Sequence, residues 1–341
     1  MLVAANPIEG EKLYRWEWLL DATVEQLWPL VSDTQRVGKA IGFGPWHFRA
    51  EADEHGGAKR TGTVSGGGMT FEWVEHPYEW VAPREMGVVR TYTKGPFIAI
   101  RQHVTLEPHE KGTKLMHLLG ARSHGFLGNT LAALEIGRRT FTGLDKLYRG
   151  FEAYVKGKQT TSFPAEPIDI GEEADRLLQR TKTKLAELGF EAELLDKLDR
   201  AIRTASDREL ARLRPFAVAR HWGLDPFQVL RVFLHATKAG ILEMSWDLIC
   251  PSCKGAADQT TELSRMKMQE HCGSCNVKFD THFDESVEVT FNPSAAVRAI
   301  ETPDFCVGGP GNTRHLLAQR RIAPKQTIEV PLELPPGLYR L

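Results

Sequence analysis

Cysteine is scarce, with five residues in a chain of 341. That density excludes a disulfide scaffold, so the cysteines present must serve some other purpose. An excess of one charge sign is also missing: 43 Lys and Arg face 44 Asp and Glu, for a formal net charge of −1. No global basic surplus therefore points to nucleic acid or to an anionic membrane surface. No apolar run approaches the roughly 18 residues of a membrane span, and the first dozen residues hold no signal-peptide core. These absences lead us to expect a cytoplasmic chain. Internal repeats and low-complexity tracts are absent too. What remains is the composition of a globular protein, 42% hydrophobic and 26% charged. At this length two or three domains are expected.

Four of the five cysteines fall into two pairs, Cys250-Pro-Ser-Cys253 and Cys272-Gly-Ser-Cys275, with 18 residues between them. Two such knuckles each offer two thiolates from a tight turn, and together they match a zinc ribbon with four Zn–S bonds of about 2.3 Å. A redox-active pair is the alternative. Four thiolates leave no open coordination position, so the expected Zn2+ is structural. His271, beside Cys272, reads as a neighbour and not a ligand, and Cys306 reads as a small buried residue.

The first segment, residues 1–157, is strand-rich and closed by a helix. Leu13–Leu20 reads as a strand, and Thr23 with Gln26 forms a capping-box start for a short helix. Asp33 and Thr34 cap a second. Strands follow at about 46–50, 61–64, 69–75, 79–81, 88–93, 98–106 and 113–119, broken by glycine-rich turns. A long amphipathic helix spans about 129–156, with Phe141, Leu144, Leu147, Tyr148, Phe151 and Tyr154 at helical spacing. This order describes an α+β helix-grip fold, in which a sheet curls around its last helix and can leave a pocket. Candidate pocket residues are Trp46, Phe71, Trp73, Tyr92, His103, His117, Phe141 and Tyr148; plain core packing is the competing reading. His103 and His117 lie on neighbouring strands, but no nucleophile accompanies them, so no catalytic residue is assigned.

Residues 158–170 are polar, with Pro164 and Pro167, and read as a linker. Residues 171–248 form a helical, winged-helix-like segment. Pro215 starts one helix that stops at Gly223; Asp225 and Pro226 start another that ends at Gly240, and an apolar strand follows. The second helix carries only Arg231 and Lys238 as lysine or arginine side chains, so packing is favoured over DNA recognition. Residues 249–341 form a β-rich zinc-ribbon domain. Its loop Gly308-Gly309-Pro310-Gly311 lacks the Lys-Ser/Thr ending of a phosphate-binding loop and reads as a structural turn.

Trp28-Pro-Leu-Val-Ser-Asp-Thr, Ala40-Ile-Gly-Phe, Phe71-Glu-Trp, Tyr78-Glu-Trp-Val and Arg90-Thr-Tyr resemble a START-like (SRPBCC, polyketide-cyclase-like) domain. The version they resemble stands at the N-terminus of bacterial class III adenylate/guanylate cyclases. Arg214-Pro-Phe-Ala-Val-Ala-Arg-His-Trp-Gly, Trp246-Asp-Leu-Ile-Cys-Pro-Ser-Cys, Phe305-Cys-Val-Gly-Gly-Pro and Pro335-Pro-Gly-Leu-Tyr-Arg resemble the uncharacterised zinc-ribbon domain that precedes the cyclase domain. The resemblance implies a non-catalytic sensory and regulatory region. Its partners would be a hydrophobic small molecule or lipid and, after Leu341, a C-terminal cyclase domain in the parent protein; a homodimer is compatible with it. Three alternatives stay open: a nucleic-acid-binding regulator, a stand-alone lipid or small-molecule binding protein, and an enzyme acting on small aromatic molecules.

Overall fold

Strand and helix boundaries follow the apolar periodicity and its glycine and proline breaks. The computed structural model describes the chain apart from residues 1, 44–45, 54–56, 67–68, 126–129, 131–134, 160, 165–167, 169, 253, 273–276, 301–308, 313–315, 323, 333, 335, 338, 340 and 341. It divides into two units, residues 1–164 with 306–341, and residues 165–305.

In the first unit β1 (Lys12–Leu20) leads into α1 (Val24–Val31) and α2 (Thr34–Ala40). The Thr23–Gln26 capping box is present in both directions, and the Asp33 carboxylate accepts from Arg36 N at the start of α2. Seven strands follow: β2 (His47–Asp53), β3 (Gly57–Gly66), β4 (Met69–Glu75), β5 (Glu79–Val81), β6 (Glu85–Lys94), β7 (Phe97–His109) and β8 (Gly112–Ser123). They form an antiparallel sheet in the order β1-β8-β7-β6-β4-β3-β2, with β5 attached to β6. A π-helical stretch, Glu135–Thr140, runs into α3 (Phe141–Val155). The buried side of α3, Leu144, Leu147, Tyr148 and Phe151, shares one core with Trp18, Val88, Val104, Leu106 and Leu115 of the sheet. Each large apolar side chain buried there contributes roughly 1.5–3 kcal/mol. The unit is therefore α+β, with a helix gripped by an antiparallel sheet.

Two boundaries differ from the sequence expectation. Phe163, placed in the linker, is buried against Phe151 at 5.0 Å with the Arg36 guanidinium 4.3 Å over its ring, so the first unit continues past residue 157. Residues 306–341, assigned to the zinc-ribbon domain, belong to the first unit instead. The reason is an edge. The backbone of β5 is open on one side, and β14 (Ala318–Gln319) pairs there antiparallel, Ala318 with Val81 and Gln319 with Trp80. Trp80 Nε1 donates to Leu316 O at 3.0 Å, and Arg321 N donates to Glu79 Oε1 at 3.0 Å.

The second unit holds α4 (Glu172–Glu187), α5 (Ala192–Thr204), α6 (Asp207–Leu210), α7 (Pro215–Trp222) and α8 (Pro226–Lys238). Gly223 ends α7 with φ +69°, and Asp225 caps α8 by accepting from Gln228 N at 2.8 Å. A three-stranded sheet follows, β9 (Leu242–Ile249) between β10 (Ala256–Thr260) and β13 (Val287–Pro293), with a hairpin of β11 (Gln269–Cys272) and β12 (Val277–Asp280). The sequence separates a helical segment, 171–248, from a strand-rich domain starting at 249. In the structure they share one core: Val229, Val232 and Phe233 of α8 pack with Leu242 and Phe291, the Phe233 and Phe291 rings lying 5.3 Å apart. An apolar stripe on α8 and the apolar face of β13 need each other to leave water.

Candidate functional site

Antiparallel register decides which side chains face α3. Trp16 pairs with His117, His117 with Val104, and Val104 with Met86, so these four form one row across the inner face of the sheet. Trp73 pairs with Tyr92 further along that face. Aromatic rings form two groups on it. In one, Trp18 meets Tyr148 edge-on at 4.9 Å, and Phe141 lies 5.9 and 6.0 Å from Trp16 and Trp18. In the other, Trp73 stands 5.9 Å from both Trp46 and Phe48 and 5.8 Å from Tyr92, while Phe71 stacks on Phe97 at 6.3 Å. Tyr14, Trp16, Phe71, Tyr92 and Phe97 belong to one apolar cluster with Leu119 and Ile136.

His117 is 2% exposed, and its Nδ1 is 2.9 Å from Tyr148 Oη. Burial pulls the imidazole down from 6.5 to about 3, so it is neutral at physiological pH. Burial likewise pushes the Tyr148 phenol up, and it pushes Tyr92 up to about 12 against the pull of Arg90.

His103 does not join this site, which corrects the expectation from sequence. Its cross-strand partners are Leu118 and Gly87, one residue out of step with His117, so it projects from the opposite face. There Nε2 lies 3.1 Å from Glu85 Oε2, and this contact first of all holds the Glu85 carboxyl below its usual range. The N-terminal segment covers that outer face: a Cβ on Gly87 would meet Ala4 Cβ at 2.6 Å. Buried Arg101 anchors the segment through Glu11 and through Ala4 O at 2.9 Å.

The inner face also carries a buried polar group that the sequence does not single out. Arg60 Nη1 donates to Glu75 Oε1 at 2.6 Å, Arg90 Nε donates to Glu75 Oε2 at 2.9 Å, and Arg90 Nη2 donates to Tyr78 Oη at 2.8 Å. The aromatic rings flank the cations, with Arg60 3.5 Å over Phe48 and Arg90 5.1 Å over Trp46. Burial opposes the charge of Arg90, but Tyr78, Glu75 and Tyr92 outweigh it and raise its pKa. Tyr14, Trp16 and Trp18 are the other residues missed, although their alternation along β1 was a visible signal.

Of the predicted zinc ligands, Cys250 and Cys272 are buried. Cys250 follows β9 and opens a turn in which Lys254 N donates to its carbonyl at 2.9 Å; Cys272 closes β11 opposite Val277. Cys253 and Cys275 lie outside the described residues, as does Cys306. Among the described residues no group of three metal-ligating side chains comes together. The Gly309-Pro310-Gly311 loop packs within the first unit, with Gly311 N donating to Ser32 O at 3.2 Å, which spends one of the amides an anion would need. In α8 the Arg231 guanidinium sits 5.5 Å from the Phe190 ring. Among the described residues no helix is long and apolar enough to cross a membrane.

A family model described as a family of unknown function (DUF5939) matches residues 178–306. Among curated proteins no match is found. Solved structures similar to the chain include a protein from Thermus thermophilus, 16% identical with a TM-score of 0.31, covering 43% of this chain and 99% of that one. Another is the ZhuI aromatase/cyclase from Streptomyces sp. R1128, 10% identical with a TM-score of 0.34, covering 42% and 96%. A third is Ara h 8.0201, 13% identical with a TM-score of 0.30, covering 43% and 99%.

Proposed function

We propose that this chain is a sensory and regulatory region in which the first unit binds an apolar small molecule or lipid between its sheet and α3. The observation that carries this reading is the inner face itself. Aromatic rings line it from Tyr148 to Trp46, and neutral or internally paired polar groups interrupt them, a lining suited to an apolar body with a few polar marks. Binding there would alter the contacts of α3, and the second unit would pass that change to an output. Following the sequence resemblance, the output is a nucleotide cyclase domain in the parent protein.

The second unit would be stapled by zinc through Cys250, Cys253, Cys272 and Cys275. Burial of Cys250 and Cys272, each beside or at a strand end, fits two thiolate knuckles. A bound zinc would supply a closed shell and folding free energy, and no reaction. A nucleic-acid role is not put forward, because α8 exposes Phe227 and Leu234 while Arg231 lies by Phe190.

The test is native mass spectrometry of the purified chain, followed by exposure to naphthalene. We expect one zinc per chain and uptake of an apolar molecule. In the parent protein, Ala121→Phe, which fills the inner face, should change cyclic-nucleotide output. Output identical to wild type would remove the regulatory part of the reading.

A further inference from the structure

We propose that the inner face selects a ligand whose apolar body carries an uncharged hydroxyl or carbonyl group, and that His117 Nε2 is the atom that recognises it. The inference rests on the ligand-binding reading above and narrows it.

Buried hydrogen-bonding groups in folded proteins are nearly always paired. On this face there are exceptions. His117 Nε2, Tyr14 Oη and Trp73 Nε1 are buried and have no hydrogen-bond partner among the described residues. His117 is the sharpest case, because its ring is fully engaged on the other side through Tyr148. If the tyrosine donates its proton to Nδ1, the neutral ring must carry its own proton on Nε2 as an unused donor. If Nδ1–H donates to the tyrosine oxygen, Nε2 is an unused acceptor. Either tautomer leaves one strong polar atom facing apolar surroundings, which costs about 1–3 kcal/mol.

A hydroxyl satisfies both tautomers and a carbonyl satisfies the first. A carboxylate would suit the donor tautomer, but His117 is neutral and its neighbours in the row are Trp16 and Val104, so an anion would be desolvated there without a countercharge. Tyr14 Oη lies on the same side of the face: its ring is 6.0 Å from Trp16, which is 6.1 Å from His117. A Cβ on Gly137, in the π-helical stretch, would stand 3.2 Å from the Tyr14 ring. Irregular π turns of this kind recur beside functional sites.

Binding of naphthalene, 2-naphthol and 2-naphthoate to the full chain at pH 7, followed by calorimetry or tryptophan quenching, tests the proposal. The three probes share one apolar body, and the second adds a neutral hydroxyl. We expect 2-naphthol to bind about two- to tenfold more tightly than naphthalene, the range of one net hydrogen bond. His117→Phe should bind the two equally. Equal binding by wild type would mean that water alone serves Nε2, and the proposal falls while the ligand-binding reading stands. Preference for 2-naphthoate that survives His117→Phe also overturns it and moves recognition to Arg60 and Arg90. No uptake of any probe removes both readings. Should His117→Phe fail to fold, the ring nitrogens decide on the unaltered chain. Their 15N resonances in His117 should move with 2-naphthol and stay in place with naphthalene, and a nitrogen signal indifferent to 2-naphthol overturns the assignment.

Discussion

His117 couples the inner face to pH. Its folded pKa of about 3 lies below the 6.5 of a free imidazole. Above pH 6.5 the ring is neutral in both folded and unfolded chains, and its ionisation contributes nothing to stability. As pH falls below 6.5 the unfolded chain takes up a proton that the folded chain cannot, so stability declines toward pH 3. From pH 6.5 to 5 this amounts to about 1.5 kcal/mol. Wild type should therefore lose that much more stability than His117→Phe over the same interval, measured by urea unfolding of the first unit at both pH values. The half-buried His76 is also lowered, by burial first, and has the same sign, but it is present in both chains and cancels. Equal losses would show that His117 is protonated in the folded state. At this scale the sequence marked the right residue types and could not say which histidine faced inward. Register did that, by a single step between His117 and His103.

Among the elements, most strands were legible because glycine and proline punctuate them. β4 and β5 have the limits that alternation predicts, and the Thr23 and Asp225 caps start their helices as read. β14 was not legible: two residues with no pattern of their own become a strand because β5 presents an unpaired edge. The buried Arg60–Glu75–Arg90 group was invisible for a related reason, since charged residues at alternate strand positions ordinarily face solvent. The cysteine knuckles supply the prediction at this scale. If the four cysteines hold zinc as proposed, the second unit should depend on the metal, because zinc binding is folding free energy for so small a sheet. Cys250→Ser, or removal of metal by a chelator, should abolish zinc binding and erase amide-exchange protection in residues 245–291, leaving the first unit protected. Native protection there without zinc would contradict a metal staple.

At the scale of the molecule, the chain leaves its first unit, builds a second, and returns. The returning segment closes the edge of β5 and covers Trp80, which is 1% exposed and donates to Leu316 O. A chain ended at Phe305 leaves that indole without its acceptor and β5 without its partner. We expect the first unit to lose at least about 2 kcal/mol, since one unpaired buried donor alone costs about 1–3 kcal/mol. The second unit should melt unchanged. Separate thermal transitions, read by amide-exchange protection over residues 12–123 for the first unit and 172–293 for the second, would measure this. An unaltered first transition would mean that the returning segment only decorates the edge.

Local chemistry was enough for the sequence to determine the strand run, the closing helix, the capped helix pair and the cysteine spacing. These depend on periods of two and 3.6 residues and on turn formers a few positions apart. Tertiary structure alone decided which face each histidine took and that residues 306–341 complete the first unit. It also decided that the helices of the second unit share their core with its strands. Those outcomes depend on pairings between residues tens to hundreds of positions apart, where a one-residue change of register reverses every side chain and an open backbone edge accepts whatever segment can reach it.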